Sequence, residues 1–132
     1  MKTPNVCPCG SNKQYENCCE IYHKNLQAPT AEALMRSRYS AFVFGLVDYL
    51  VKTTHPNYRY KGLEKEIASR CKTVAWCHLK IISTWQGDIH DVVGKVFFEA
   101  TFVQEGKEGI HQEHSRFKRF KHQWMYTDAQ VS

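Results

Sequence analysis

Apolar positions follow two different periods along this chain. From Ala31 onward, Leu34, Met35, Tyr39, Phe42 and Val43 recur at three- and four-residue intervals, the spacing that gathers side chains on one face of a helix. Thr30 precedes them as an N-cap and Glu32 falls in the first turn, where its charge suits the helix dipole. Gly45 interrupts the run. A second helix is predicted over Leu46 to Thr53, with Val47, Leu50 and Val51 on one side, and His55-Pro56-Asn57 ends it because the residue before proline is pushed out of helical space. Gly62 opens a third, shorter helix through Leu63, Ile67 and Ala68 to about Arg70.

The period changes at Thr73. Val74 to Trp85 is rich in β-branched and aromatic residues, and Gln86-Gly87-Asp88 makes a turn. Val92 to Gln104 reads as a second long strand, Glu105 to Gly109 as a turn, Ile110 to Phe120 as a third strand and Trp124 to Thr127 as a short last one. Helices first and an antiparallel meander after them is the α+β order. A length of 132 residues, 42% of them hydrophobic, allows one compact domain with a small appendage.

That appendage is the stretch Cys7-Pro8-Cys9-Gly10-Ser11-Asn12-Lys13-Gln14-Tyr15-Glu16-Asn17-Cys18-Cys19. Two close thiol pairs separated by a short polar loop can bring four sulfurs around one soft divalent cation, and four thiolates favour zinc over the hard cations. Gly10 can take a positive φ as the chain turns away from the metal. Cys18 and Cys19 are adjacent, so they can share an ion only if the chain bends between them. The alternatives are two disulfides or free thiols. Disulfides suit a small secreted protein, but no apolar signal segment precedes the cluster and no apolar run is long enough to cross a bilayer, so a cytoplasmic location is expected. One zinc ion in a closed, structural site is the preferred reading, with no position left for a reacting water. Cys71 and Cys77 remain; they read as buried, reduced thiols, the alternative being a redox pair without a CxxC signature.

The pattern Cys-Pro-Cys-Gly-Ser-x-Lys-x-Tyr-x-x-Cys-Cys resembles the SEC-C motif, a zinc-binding module also found at the C-terminal end of the protein-export motor SecA. Asn12 stands where that motif usually has a second glycine, and Asn tolerates the left-handed conformation better than most residues. Beyond it, Ala33-Leu34-Met35-Arg36-Ser37-Arg38-Tyr39-Ser40-Ala41-Phe42, then Asp48-Tyr49-Leu50, Thr54-His55-Pro56, Ser115-Arg116-Phe117 and Trp124-Met125-Tyr126, resemble the YchJ-type family of uncharacterised bacterial proteins. The resemblance implies a SEC-C module over residues 1–27 and an NTF2-like, or cystatin-like, domain over 28–132, with three helices packed on a strongly bent antiparallel sheet of about four strands. It also implies a cone whose open end can hold a ligand. The family pattern usually has a glycine in the last turn, near Lys121-His122-Gln123, and this chain has none.

Charge adds little. A formal net charge of +5 is equally compatible with an acidic partner and with a solvated mixed surface. The basic and aromatic run Arg116-Phe117-Lys118-Arg119-Phe120-Lys121 can serve single-stranded nucleic acid if its rings are exposed, but it also suits a strand with one solvated and one packed face, which is the favoured reading.

Candidate pocket residues are Arg36, Arg38, Tyr39, His55, Trp76, His78 and Glu99. Arg36 and Arg38 cannot share one helical face, so one is expected to point inward, most simply to pair with Glu99. His78 and Glu99 form an acid–base pair only if they lie within hydrogen-bond reach. His90, His111, His114 and His122 read as surface residues. No nucleophile motif, phosphate loop or open metal site is present, which disfavours an enzyme. Two functions follow. The first is an adaptor whose knuckle presents Lys13, Gln14, Tyr15 and Asn17 to a protein partner, which the SecA resemblance implies belongs to export, translation or chaperoning, with a homodimer through the sheet also compatible. The second is a small-molecule binder or enzyme using the cone.

Overall fold

A computed structural model describes residues 6–131. The knuckle begins as a narrow hairpin in which Val6 pairs with Gln14 and the Cys7 N–H donates to the Lys13 carbonyl at 2.8 Å. A 3₁₀ turn over Tyr15–Asn17 leads into α1 (Cys19–Asn25). Then come α2 (Ala31–Phe44), α3 (Val47–Lys52), a second 3₁₀ turn over Pro56–Tyr58 and α4 (Leu63–Thr73).

Local chemistry explains these boundaries. The Thr30 hydroxyl accepts from the Ala33 N–H at 3.0 Å, capping α2 as its sequence predicts. Gly45 ends α2 in the left-handed conformation, φ 72°. The helices bury Leu34, Tyr39, Ala41, Tyr49, Leu50 and Ile67.

Four antiparallel strands follow in meander order: β1 (Ala75–Gln86), β2 (Val93–Gln104), β3 (Lys107–Phe120) and β4 (Gln123–Val131). β2 alternates cleanly. Gly94, Val96, Phe98 and Ala100 are buried against the helices while Lys95, Phe97, Glu99 and Thr101 point to the other face. The chain therefore has the α+β layout that the period change predicts, in the NTF2-like arrangement that the resemblance implies. Extra residues bulge from β1 between Trp76 and His78 and between Ile81 and Ser83, and β4 shifts register opposite Arg116/Phe117. Such bulges bend a strand, so the sheet curls over α2.

Three expectations change here. The turn between β2 and β3 is two residues, Glu105 (φ 53°) and Gly106 (φ 76°), and not the five from Glu105 to Gly109. Both central residues are left-handed, as the tightest hairpins require, so the strands pair up to the turn itself. The turn after β3 is of the same kind, with Lys121 (φ 50°) and His122 (φ 70°) in left-handed backbone without a glycine. Arg119 supports it, donating from Nη1 to the His122 carbonyl at 3.1 Å and stacking over Trp124. The last strand runs well past Thr127 to Val131 because Glu113, His114 and Ser115 on the long β3 offer it partners.

Cys77 is exposed, against the expectation of a buried thiol, because it occupies the bulge on edge strand β1; Cys71 is half-buried on α4. The far face of the sheet carries exposed Ile82, Trp85 and Ile110. Among the described residues, no helix is long and apolar enough to cross a membrane.

Candidate metal centre

The chain bends where the metal reading needs it to. Cys18 ends the 3₁₀ turn with φ −133° and ψ −111°, Cys19 starts α1, and the two adjacent side chains converge on the same point from different elements. Gly10 (φ 84°) and Asn12 (φ 67°) turn the chain between the two thiol pairs. A Cβ on Gly10 would come to 3.0 Å from the Leu79 carbonyl oxygen, a tight contact that adds to the strain a side chain would meet at this positive φ.

The sulfurs of Cys7, Cys9, Cys18 and Cys19 all lie within 4.8 Å of one another, with Cys9 and Cys18 at 3.7 Å and Cys18 and Cys19 at 4.0 Å. A tetrahedron of thiolates about 2.3 Å from zinc has edges of about 3.8 Å. The four cysteines are free thiols, not disulfides. The donor set can hold a metal ion.

Electrostatics points the same way. Hydrogen bonds from the Cys19 and Cys7 thiols, with a further one from Ser11, push the Cys9 thiol down. Cys19 moves up, held by its bonds to Cys7 and Cys9 and by burial, and burial raises Cys18. Four sulfurs packed this closely cannot all carry charge unless a cation joins them.

α2 forms the back wall of the site. Arg36 donates from Nη1 to the Cys9 carbonyl at 2.7 Å and from Nε to Glu32 at 3.0 Å. The Ser40 hydroxyl lies 3.4 Å from the Cys7 sulfur. His23 ties α1 to α2: its Nε2–H donates to the Ser37 carbonyl at 2.8 Å, which obliges Nδ1 to accept from the Tyr15 hydroxyl at 2.6 Å. Ser37, in turn, shares a 2.7 Å hydrogen bond with Tyr49.

The predicted docking residues are not all available. Lys13, Gln14 and Asn17 are exposed, as are Asn12 and Glu16, but Tyr15 turns inward, bonded to His23 and edge-on to Phe44 at 4.9 Å.

The pocket candidates divide. Arg36 belongs to the knuckle. Arg38 is buried but does not pair with Glu99: its Nη1 donates to the Leu50 carbonyl, Thr53 and Thr54, and its guanidinium lies 4.5 Å over the Tyr126 ring. Glu99 sits on the far face of the sheet, accepting from Gln112 at 2.8 Å, because it alternates with the buried Phe98 and Ala100. His78 is exposed on that same face and makes no hydrogen bond with Glu99, so the pair is no acid–base site. His55 is buried, packing on Tyr58 and Phe120. Tyr39 and Trp76 do meet, between α2 and β1. In the basic run, Phe117 is buried and Phe120 packs on His55, while Arg116 pairs with Asp128.

His111, expected on the surface, faces inward with Glu113, while His114 stacks on Phe97 across the far face at 4.0 Å. Ser37 and Ser40, small polar residues among the apolar positions of α2, also take part, Ser40 against the Cys7 sulfur and Ser37 bonded to Tyr49.

Comparison with known proteins agrees with this architecture. A family profile described as YchJ, middle NTF2-like domain, matches residues 30–129, and a SEC-C motif profile matches residues 5–21. The chain belongs to the YchJ-like family. Family relatives include a UPF0225 protein of Streptomyces coelicolor, 41% identical over 131 residues and covering 98% of both chains. Another, from Vibrio parahaemolyticus, is 43% identical over 124 residues, covering 93% of this chain and 73% of that protein. Among solved structures, a SEC-C motif-containing protein of Rhodopseudomonas palustris is similar at a TM-score of 0.85 and 29% identity, covering 96% of this chain and 98% of that one. A SEC-C motif-containing protein of Psychrobacter arcticus matches at 0.78 and 31% identity, covering 96% and 82%.

Proposed function

We propose that this YchJ-like protein is a cytoplasmic adaptor whose knuckle binds one structural zinc ion and docks a protein partner through the outer turn of the SEC-C motif. The observation that carries the reading is the convergence of four cysteine sulfurs within 4.8 Å. Four protein ligands complete a tetrahedron and leave no open position for substrate or water, so the metal's task is to hold the turn. Held in this way, the turn presents Asn12, Lys13, Gln14, Glu16 and Asn17 to solvent on a rigid base. Tyr15 serves the base and not the docking face. The SEC-C resemblance to the SecA tail supports a partner in export, translation or chaperoning.

Two variants test this. Native mass spectrometry of the protein purified without added metal or chelator is expected to show one zinc per chain, and Cys9→Ser to show none. Lys13→Glu combined with Gln14→Ala and Asn17→Ala is expected to keep the zinc and the melting temperature and to lose the partners that the unaltered chain captures. Unchanged capture by this surface variant would exclude docking through the knuckle.

A further inference from the structure

The segment that follows α3 carries rings that the fold leaves in solvent. Tyr58 is 44% exposed and Tyr60 55%, although both belong to a braced stretch of backbone. The Tyr58 N–H donates to the His55 carbonyl at 2.8 Å, closing the Pro56–Tyr58 turn, and the His55 Nδ1 accepts from the Asn57 N–H at 3.1 Å. Arg59 donates from Nε to the Thr54 carbonyl at 2.8 Å and from Nη2 to the Lys52 carbonyl at 3.1 Å. The His55 N–H donates in turn to the Tyr126 carbonyl at 2.8 Å, which fixes the turn to β4. Two tyrosine rings thus stand in solvent on a backbone pinned from both sides.

Basic groups gather around them. His55 packs edge-on to Tyr58 and to Phe120, with centroids 5.8 and 5.2 Å away, and so joins the turn to the end of β3. Lys118 and the half-buried Phe120 alternate with the buried Phe117, so they point to the far face of the sheet. Lys121 lies 5.4 Å over the Phe120 ring. Burial lowers the His55 pKa, and the positive charges of Lys118 and Arg59 lower it further. Arg59, Lys61, Lys118 and Lys121 are exposed, and among the described residues none of them has a carboxylate within ion-pair distance. The acids at the border are Glu64 and Glu66 on the first turn of α4, the second accepting from the Tyr60 hydroxyl, and Asp128, which Arg116 neutralises through bonds of 2.7 and 2.8 Å. Four cations against two open carboxylates leave this surface positive.

We propose that Tyr58 and Tyr60, with Arg59, Lys61, Lys118 and Lys121, form a binding surface for single-stranded nucleic acid, the rings stacking on unpaired bases and the cations meeting phosphates. Exposed rings set among unpaired cations fit a polymer that carries a flat base and a negative charge in every unit. A duplex hides the faces of its bases and offers only its charge. An acidic peptide matches the cations but brings no flat partner for the rings. The stacking rings are not those of the basic run on β3, whose Phe117 is buried. The surface shares no residue with the metal centre or the knuckle turn, so failure of the adaptor reading leaves it standing.

The probes are fluorescently labelled oligouridylate and oligothymidylate of about twelve nucleotides, within the span of a single-strand site, followed by anisotropy as the full chain is titrated in at low salt. An abasic strand of equal charge and polyglutamate are the controls. Saturable binding of at least one labelled strand is expected, with the abasic strand and polyglutamate several-fold weaker, and the tighter of the two strands identifies the preferred sugar. Tyr58→Ala and Tyr60→Ala are each expected to weaken that strand about tenfold, the worth of one stacked base, and to leave the abasic strand and the melting temperature unchanged. Lys118→Gln keeps both rings and is expected to flatten the slope of log affinity against log salt by about 0.7. If Tyr58→Ala does not fold, Tyr60→Ala and Lys118→Gln carry the test. Absence of saturable binding would overturn the surface, as would equal affinity for the abasic strand or polyglutamate, unchanged affinity in the tyrosine variants or an unchanged salt slope in Lys118→Gln.

Discussion

Each cysteine of the knuckle is tolerable only because of its neighbours. Cys7, Cys9 and Cys19 are almost wholly buried, and a buried thiolate without a counter-charge is costly. Cys9→Ser therefore removes more than a ligand: it leaves three sulfurs that no longer close around a cation. We expect loss of the capacity to hold a metal ion and a destabilisation of several kcal/mol, read as a lowered midpoint in urea unfolding. Arg36→Ala should be milder, costing about 1–3 kcal/mol by orphaning the Cys9 carbonyl while keeping the metal stoichiometry. The ligands were legible because four cysteines at fixed spacing have few other uses. Arg36 was not, since a basic residue on a helix can meet water, an acid or a carbonyl, and only the docked knuckle supplied the carbonyl.

At the level of elements, α2 is a wall shared by two structures, and His23 is the pin between it and the knuckle. Burial lowers the His23 pKa, overcoming the opposing effect of its bond to the Ser37 carbonyl. The folded chain thus holds the ring neutral while the unfolded chain protonates near its ordinary pKa of about 6.5. Between these two values the unfolded state binds more protons, so stability falls as the pH drops below about 6.5. His55 is shifted the same way. A His23→Gln variant should reduce the slope of unfolding free energy against pH in that window, leaving the His55 share.

The β1–β2 turn is a second such constraint. A Cβ on Gly94 would lie 2.5 Å from the Gly87 Cα and 3.2 Å from the Ala31 Cβ. Gly94→Val should cost about 1–3 kcal/mol in thermal or urea unfolding by prising this turn off the start of α2. Helix and strand periods were readable from residue types. The ends of the hairpins were not, because Lys121 and His122 accept left-handed backbone only under the pull of the paired strands.

Across the whole molecule, the knuckle and the curved sheet share one interior. Cys7, Cys9 and Cys19 fall in the same buried cluster as Leu34, Leu50, Phe98 and Phe117. Stripping the metal with a chelator should therefore lower the midpoint of the whole chain in a single transition, coincident by tryptophan fluorescence and far-ultraviolet circular dichroism. Two separated transitions would show that the knuckle melts alone. Spacing and period, which are properties of the chain alone, settled the four-cysteine cluster, the helices before the meander and the α+β class, since each depends on contacts within a few residues. What faces what was decided in three dimensions. Bulges in β1 turned Cys77 outward, strand alternation put Glu99 and His78 on the far face, and the curl of the sheet brought His111 and Glu113 inside. Facing depends on register, and a shift of one residue, invisible in composition, reverses every side chain beyond it.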